Sequence, residues 1–232
     1  MVEQPPTAAN GSGMYDKVRD DLMKRKPLLA ASFQGDPDIL SRVRDYEQRS
    51  ADVAQQVGLV AAKGEDIERL ALLDPITELY NHRTFVKELK AEIARSRRYS
   101  QRVSVLTLIV DEFEGIGTDY GTLTQDAVLR VVALVIRNST REVDIPARYA
   151  PWQFAVVLPQ TNAAGASLVA ERIRQRVANQ VFSHNWKNFS LTASMGVATF
   201  PEHAQEYDEL VARSLEAMEC AVDRGGDRVF SF

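Results

Sequence analysis

Residues 103–110 read VSVLTLIV, eight residues in a row without a charge and rich in β-branched side chains. Such a run suits a strand buried on both faces. It is far short of the ~20 apolar residues that a membrane span needs. Helical periodicity lies on either side, over 83–99 and 124–138. Two short strands, 147–149 and 154–158, then flank a tight turn and predict a hairpin. Residues 162–180 place Ala166, Val169, Ala170, Ile173 and Val177 on one helical face. A strand over 189–200, a helix over 206–223 and a last short strand over 228–232 complete the chain. The order is βαββαβ with extra terminal elements. It predicts an α/β fold, a ferredoxin-like sandwich, for residues 74–232.

The first third reads differently. Residues 1–13 are rich in Pro, Gly, Ser, Asn and Ala, which predicts a disordered tail. Residues 14–73 read as a helical region in which Pro27 breaks or kinks the first stretch. Ile39, Val43, Tyr46, Ser50, Val53, Val57, Val60, Gly64, Ile67 and Ala71 alternate four and three apart. That spacing is a heptad seam, weakened at Ser50 and Gly64. It fits either an amphipathic helix packed on its own domain or a parallel coiled coil. The narrow stripe favours the second, a stalk that makes a homodimer through residues 38–73.

The charge balance, 28 basic against 32 acidic residues, gives no basic surface and argues against nucleic acid as a partner. One cysteine, Cys220, excludes an internal disulfide framework and a cysteine-rich zinc site. No run suits membrane insertion and no secretory signal is read, so the expectation is a soluble cytoplasmic protein. His82, His184 and His203 have no partner at metal-ligand spacing and read as surface histidines.

Residues 74–85, DPITELYNHRTF, are similar to the DxLTGLxNRRxF motif that opens the GGDEF domains, the diguanylate cyclase family. Phe113, Ile116, Tyr120-Gly121 and Asp126 follow the family's next strand, loop and helix. Arg148-Tyr149 and residues 154–159 flank its hairpin, and residues 170–174 and 192–198 match two further blocks. The resemblance covers roughly residues 70–232 and implies a nucleotide cyclase fold. It also implies that the catalytic apparatus is gone. The hairpin that names the family reads Ala150-Pro151-Trp152-Gln153-Phe154. Ala150 adds a Cβ where the family has glycine, and Pro151 lacks an N–H. Trp152 replaces an acidic metal ligand and Gln153 the next acid. Ile109 replaces the strand Asp that binds Mg²⁺. Gly117 and Thr118 replace a guanine-contacting Asn-Asp pair, and Val222 and Gly226 replace a phosphate-contacting Lys and Arg. Asp126 remains at the family's guanine-binding Asp.

Phosphoryl transfer between two GTP molecules depends on metal ions and positive charge, and Mg²⁺ takes oxygen ligands. Ile109 and Trp152 offer none, so neither a metal nor catalysis is expected. Asp111 reads as a structural carboxylate at the strand end. The family's inhibitory site for its product has the signature RxxD, which stands here as Arg141-Glu142-Val143-Asp144, with a further family arginine at Arg172. The resemblance therefore implies a cyclic di-GMP receptor using Arg141, Asp144 and Arg172, relaying its signal to a protein partner. A stacked ligand pair carries four phosphate charges, so extra positive charge is expected from a second domain of the dimer or from a nearby residue such as Arg137 or Arg176. The competing reading is a nucleotide-independent interaction scaffold using the hairpin around Trp152, which either stands exposed as an interface anchor or folds into the vacated pocket and fills it. Alone, RxxD also fits a surface ion pair.

Overall fold

The computed structural model describes residues 71–184 and 186–232. The expected tail over 1–13 and the stalk over 38–73 lie outside these residues, except at 71–73. In chain order the elements are α1 (His82–Tyr99), β1 (Val103–Val110), α2 (Phe113–Tyr120), α3 (Thr122–Arg137), β2 (Ile145–Ala150), β3 (Gln153–Pro159), α4 (Ala163–Ala178), β4 (Phe182–His184), β5 (Lys187–Phe189), β6 (Ala193–Phe200), α5 (Tyr207–Asp223) and β7 (Val229–Ser231).

Five strands form one sheet in the order β2-β3-β1-β6-β7. Only β7 pairs in parallel, with β6; the other pairings are antiparallel. The central four strands with α3 and α4 are the expected ferredoxin-like unit. Leu106, Leu108 and Val110 share a core with Val128, Leu129, Val132 and Ile136 of α3 and with Ala166, Ala170 and Ile173 of α4. Val103 and Val105 are buried too, and Thr107 Oγ1 donates to the Ser214 carbonyl of α5. Helices therefore cover both faces of β1, which is why its sequence is apolar throughout rather than alternating.

Local signals set the boundaries. Asn81 caps α1 by accepting from Thr84 N, and Asn162 caps α4 by accepting from Gly165 N. Ser100, in the left-handed region, ends α1. Gly196 of β6 is required by close approach: a Cβ there would lie 2.0 Å from the Ser214 carbonyl oxygen.

Three sequence expectations change. The helix expected at 124–138 is preceded by the short helix α2, whose Gly-containing sequence FEGIGTDY is a poor helix former held by buried Phe113 and Ile116. The strand expected over 189–200 is two strands, with β5 paired to β4 in a separate hairpin. That hairpin is glued by aromatic stacking of Phe189 on Tyr120, 4.6 Å between centroids, and on Phe182. Nor are the histidines plain surface residues. His82 packs edge-on against Tyr149, and burial lowers its pKa. His184 bonds Thr124 Oγ1, and His203 Nδ1 accepts from Thr199 N.

Candidate functional site

The register places the hairpin and the RxxD turn at opposite ends of the sheet. Gln153, beside the hairpin tip, pairs with Ile109 at the C-terminal end of β1. Ile145, directly after the RxxD turn, pairs with Val157, which pairs with Val105 near the start of β1.

At the hairpin end, side chains fill the space. Trp152 is half-buried and stacks on Phe113, with ring centroids 6.4 Å apart. Of the two placements open to Trp152, this is the inward one and not the exposed anchor, because an indole beside an apolar core gains from burial. The tip is held from beneath. Arg148, 4% exposed, donates from Nε and Nη2 to the Pro151 carbonyl and pairs through Nη1 with Asp74, itself 3% exposed. Asp74 also accepts from Thr77 N and Thr77 Oγ1. Ala150 is buried, and the Gln153 amide oxygen is buried without a partner among the described residues.

At Gly117, which the motif alignment sets opposite a guanine-contacting asparagine, a Cβ would lie 2.4 Å from Gln125 Nε2, so the Gln125 side chain packs directly over this glycine. Thr118 is exposed and Asp126 half-buried. Gly226 has φ +69, and a Cβ there would touch the Asp111 carboxyl at 3.2 Å. Asp111 has both oxygens engaged: Oδ1 accepts from Ser194 Oγ, and Oδ2 from Thr192 Oγ1 and Asp227 N. It is a strut joining β1, β6 and the turn before β7. Among the described residues no three Asp, Glu, His or Cys side chains converge as metal ligands. Ile109, Trp152 and a fully bonded Asp111 do not fit a Mg²⁺ ion.

The RxxD end is polar and open. Asp144 is 6% exposed; its Oδ2 accepts from Arg141 N at 2.6 Å, and its Oδ1 has no partner among the described residues. The contact is amide to carboxylate and part-buried, and the Arg141 charge acts on Asp144 without a side-chain hydrogen bond between them. Burial pushes the Asp144 carboxyl up, opposed by the Arg141 amide and by the charges of Arg141 and Arg172. Arg141 is exposed, and its guanidinium makes no hydrogen bond or ion pair among the described residues. Arg172, on α4, reaches the same turn and donates to the Ser139 carbonyl at 2.6 Å. Arg176 braces that turn through Asn138 O and Ser139 Oγ. Thus Arg141, Asp144 and Arg172 meet around one turn. Beside it lies a cavity of about 290 Å³ lined by Arg141, Asp144, Arg137 and Tyr80 among others. A larger cleft of about 810 Å³ opens on the other side of Arg141, toward Arg97, Arg102 and Asn162.

Comparison with known proteins decides the lineage. The family profile described as "Diguanylate cyclase, GGDEF domain" matches residues 71–228. The chain belongs to the GGDEF domain family. It is 30% identical over 213 residues to the response regulator PleD of Caulobacter vibrioides, covering 88% of this chain and 47% of PleD. It is 32% identical over 190 residues to the diguanylate cyclase DosC of Escherichia coli, covering 81% of this chain and 41% of DosC. The chain spans between 28 and 51% of the length of curated diguanylate cyclases it matches. Among solved structures, the coiled coil and GGDEF domain of DgcB from Caulobacter crescentus, in complex with c-di-GMP, superposes with a TM-score of 0.69 at 26% identity, covering 81% of this chain and 99% of that one. The diguanylate cyclase SiaD of Pseudomonas aeruginosa, in complex with its activator SiaC, gives a TM-score of 0.67 at 26% identity over 95% of this chain and 80% of that one. The GGDEF fold explains why this chain's hairpin and RxxD turn occupy opposite ends of one sheet. No sequence signal disclosed that Gln125 packs over Gly117. The Arg148–Asp74 pair was visible only as two separate motif residues.

Proposed function

We propose that this GGDEF domain is a catalytically inactive receptor for cyclic di-GMP, which it binds at the RxxD turn. The observation that carries this reading is the unmatched Asp144 Oδ1, 94% removed from solvent by its residue's burial and set beside a cavity and an unpaired Arg141. A buried acceptor without a donor is costly. A guanine Watson–Crick edge supplies N–H donors, and a guanidinium fork suits phosphate oxygens or the guanine O6/N7 edge. Arg172 adds a second cation. The ligand enters as a stacked, intercalated pair of molecules.

Inactivity is supported at the other end. The positions of the metal ligands carry Ile109 and Trp152, and Gln125 packs over Gly117, which the motif alignment sets opposite a guanine-contacting asparagine. The heptad spacing from Ile39 to Ala71 supports homodimerisation in this reading, and a protein partner reads the liganded state.

Two measurements test this. Calorimetric titration with cyclic di-GMP gives saturable binding, and incubation with GTP and Mg²⁺ or Mn²⁺ gives no product above a buffer control. Product formation overturns the inactive reading. No binding at high micromolar ligand overturns the receptor and leaves the interaction scaffold.

A further inference from the structure

The cavity at the RxxD turn has a second wall. Across from Arg141 and Asp144 it is lined by Leu73, Glu78, Leu79 and Tyr80, the lead-in turn between the N-terminal third and α1. This turn is fastened to the domain along its length. Tyr80 N donates to the Pro146 carbonyl, and Arg148 N donates to the Tyr80 carbonyl at 2.8 Å. At its apex Glu78 holds φ +56, a left-handed backbone where the family motif has glycine. The Glu78 carbonyl receives a hydrogen bond from Arg137 Nη2 at 2.9 Å.

Arg137 is the last residue of α3, is exposed, and lines the cavity itself. Of the remaining basic residues at this turn, Arg172 donates to the Ser139 carbonyl and Arg176 to Asn138 O and Ser139 Oγ, and neither lines that cavity. A guanidinium carries five N–H donors, so one bond to Glu78 leaves others for an anion. Two cyclic dinucleotides carry four phosphate charges, which Arg141 and Arg172 alone do not balance.

We propose that Arg137 is a third arginine of the ligand site, bonding a ligand phosphate while it holds the Glu78 carbonyl. Occupancy then tightens the 73–80 turn and passes to the chain N-terminal of it. This rests on the cyclic di-GMP reading above. The relay needs no catalytic hairpin, which is consistent with that hairpin having closed.

The test uses the full chain and cyclic di-GMP as the probe. Calorimetry on the parent, Arg137→Ala, Arg137→Lys and Arg141→Ala is paired with hydrogen exchange of peptides covering residues 71–81, with and without saturating ligand. In the parent, ligand slows exchange at 73–80. Arg137→Ala weakens binding about tenfold. At saturation it no longer shows the ligand-dependent slowing. Arg137→Lys keeps part of the affinity through its point charge and less of the slowing. A merely structural Arg137 would raise exchange equally with and without ligand, which overturns the proposal. Parent-like affinity in Arg137→Ala, with weakened binding in Arg141→Ala, overturns it too while the receptor reading stands. No binding by the parent overturns both.

Discussion

At the hairpin end of the sheet, Ile109, Ala150, Pro151 and Trp152 bring no charge, and Arg148 beneath the tip is tied to Asp74 and to the Pro151 carbonyl. At the RxxD end, charge has been kept and left incompletely bonded. The two ends are joined by the same strands, β2 and β3, so they share a fold and a folding free energy. Closing the hairpin with Trp152 turns a solvent-filled site into packed surface, which adds to stability. Leaving Asp144 Oδ1 without a donor does the opposite. Groups that cost stability without a packing role are where a binding function is expected. Gln153 Oε1 at the hairpin end is also without a partner among the described residues, so the contrast rests on the charges kept at the RxxD turn, Arg141, Asp144 and Arg172, and not on the orphaned acceptor alone.

The largest expected effect is on what the ends share. Asp74 and Arg148 form a buried pair that ties the lead-in turn to the hairpin tip. Asp74→Ala removes the carboxylate of a buried, hydrogen-bonded pair and should cost ~3–5 kcal/mol, read by denaturant unfolding. A loss under about 1 kcal/mol would mean that water or a neighbour replaces the carboxylate, and that the tip is not held from beneath.

The next effect falls on one end alone. Arg141→Ala removes a charge-assisted contact worth ~1.5–3 kcal/mol, so cyclic di-GMP binding should weaken at least about tenfold. Because Arg141 is exposed and its side chain unpaired, unfolding stability should shift by less than about 0.5 kcal/mol. Trp152→Ala should give the mirror image. A half-buried indole forfeits about half of the ~3–5 kcal/mol of a fully buried one, while ligand affinity stays near that of the parent. If Trp152→Ala lowers affinity as much as Arg141→Ala, the two ends are coupled and the separation is wrong.

How legible this was differs by end as well. The β1 run and the periodic faces of α1, α4 and α5 carried the architecture, because burial on both sides leaves an unmistakable apolar signature. The short helix α2 and the β4–β5 hairpin were missed because tertiary aromatic contacts, Tyr120 on Phe189 above all, hold them rather than local propensity. The loss of metal ligands at Ile109 and Trp152 could be read residue by residue from the motif. For the space beside it, Trp152 was legible only as two alternatives, exposed or folded inward, and the approach of Gln125 to Gly117 not at all, because both are packing outcomes. At the RxxD turn, spacing identified Arg141 and Asp144. Arg137 emerged as the particular neighbour only because the turn at Glu78 folds back onto it.

The smallest effect tests the RxxD end by pH. Burial raises the Asp144 carboxyl above its ordinary value, outweighing the Arg141 amide and the charges of Arg141 and Arg172. A carboxyl that holds its proton more tightly folded than unfolded contributes stability that is full below the unfolded value. That contribution is lost as pH rises through the raised folded value. Asp144→Asn stays neutral at every pH, and its oxygen can still accept from Arg141 N. The parent should therefore lose stability relative to Asp144→Asn as pH climbs out of the acid range, and the difference should level off once Asp144 is fully ionised. At neutral pH the variant should be the more stable protein and the weaker binder, since an amide presents one acceptor where the guanine donors need the second carboxylate oxygen. Unfolding curves for both proteins across about pH 4–8 measure the first trend, and calorimetry at neutral pH the second. Parallel stability profiles would show that Asp144 is not held in the raised state. A variant that is both less stable and equally able to bind would make the RxxD turn a structural cap, and the contrast between the two ends would collapse.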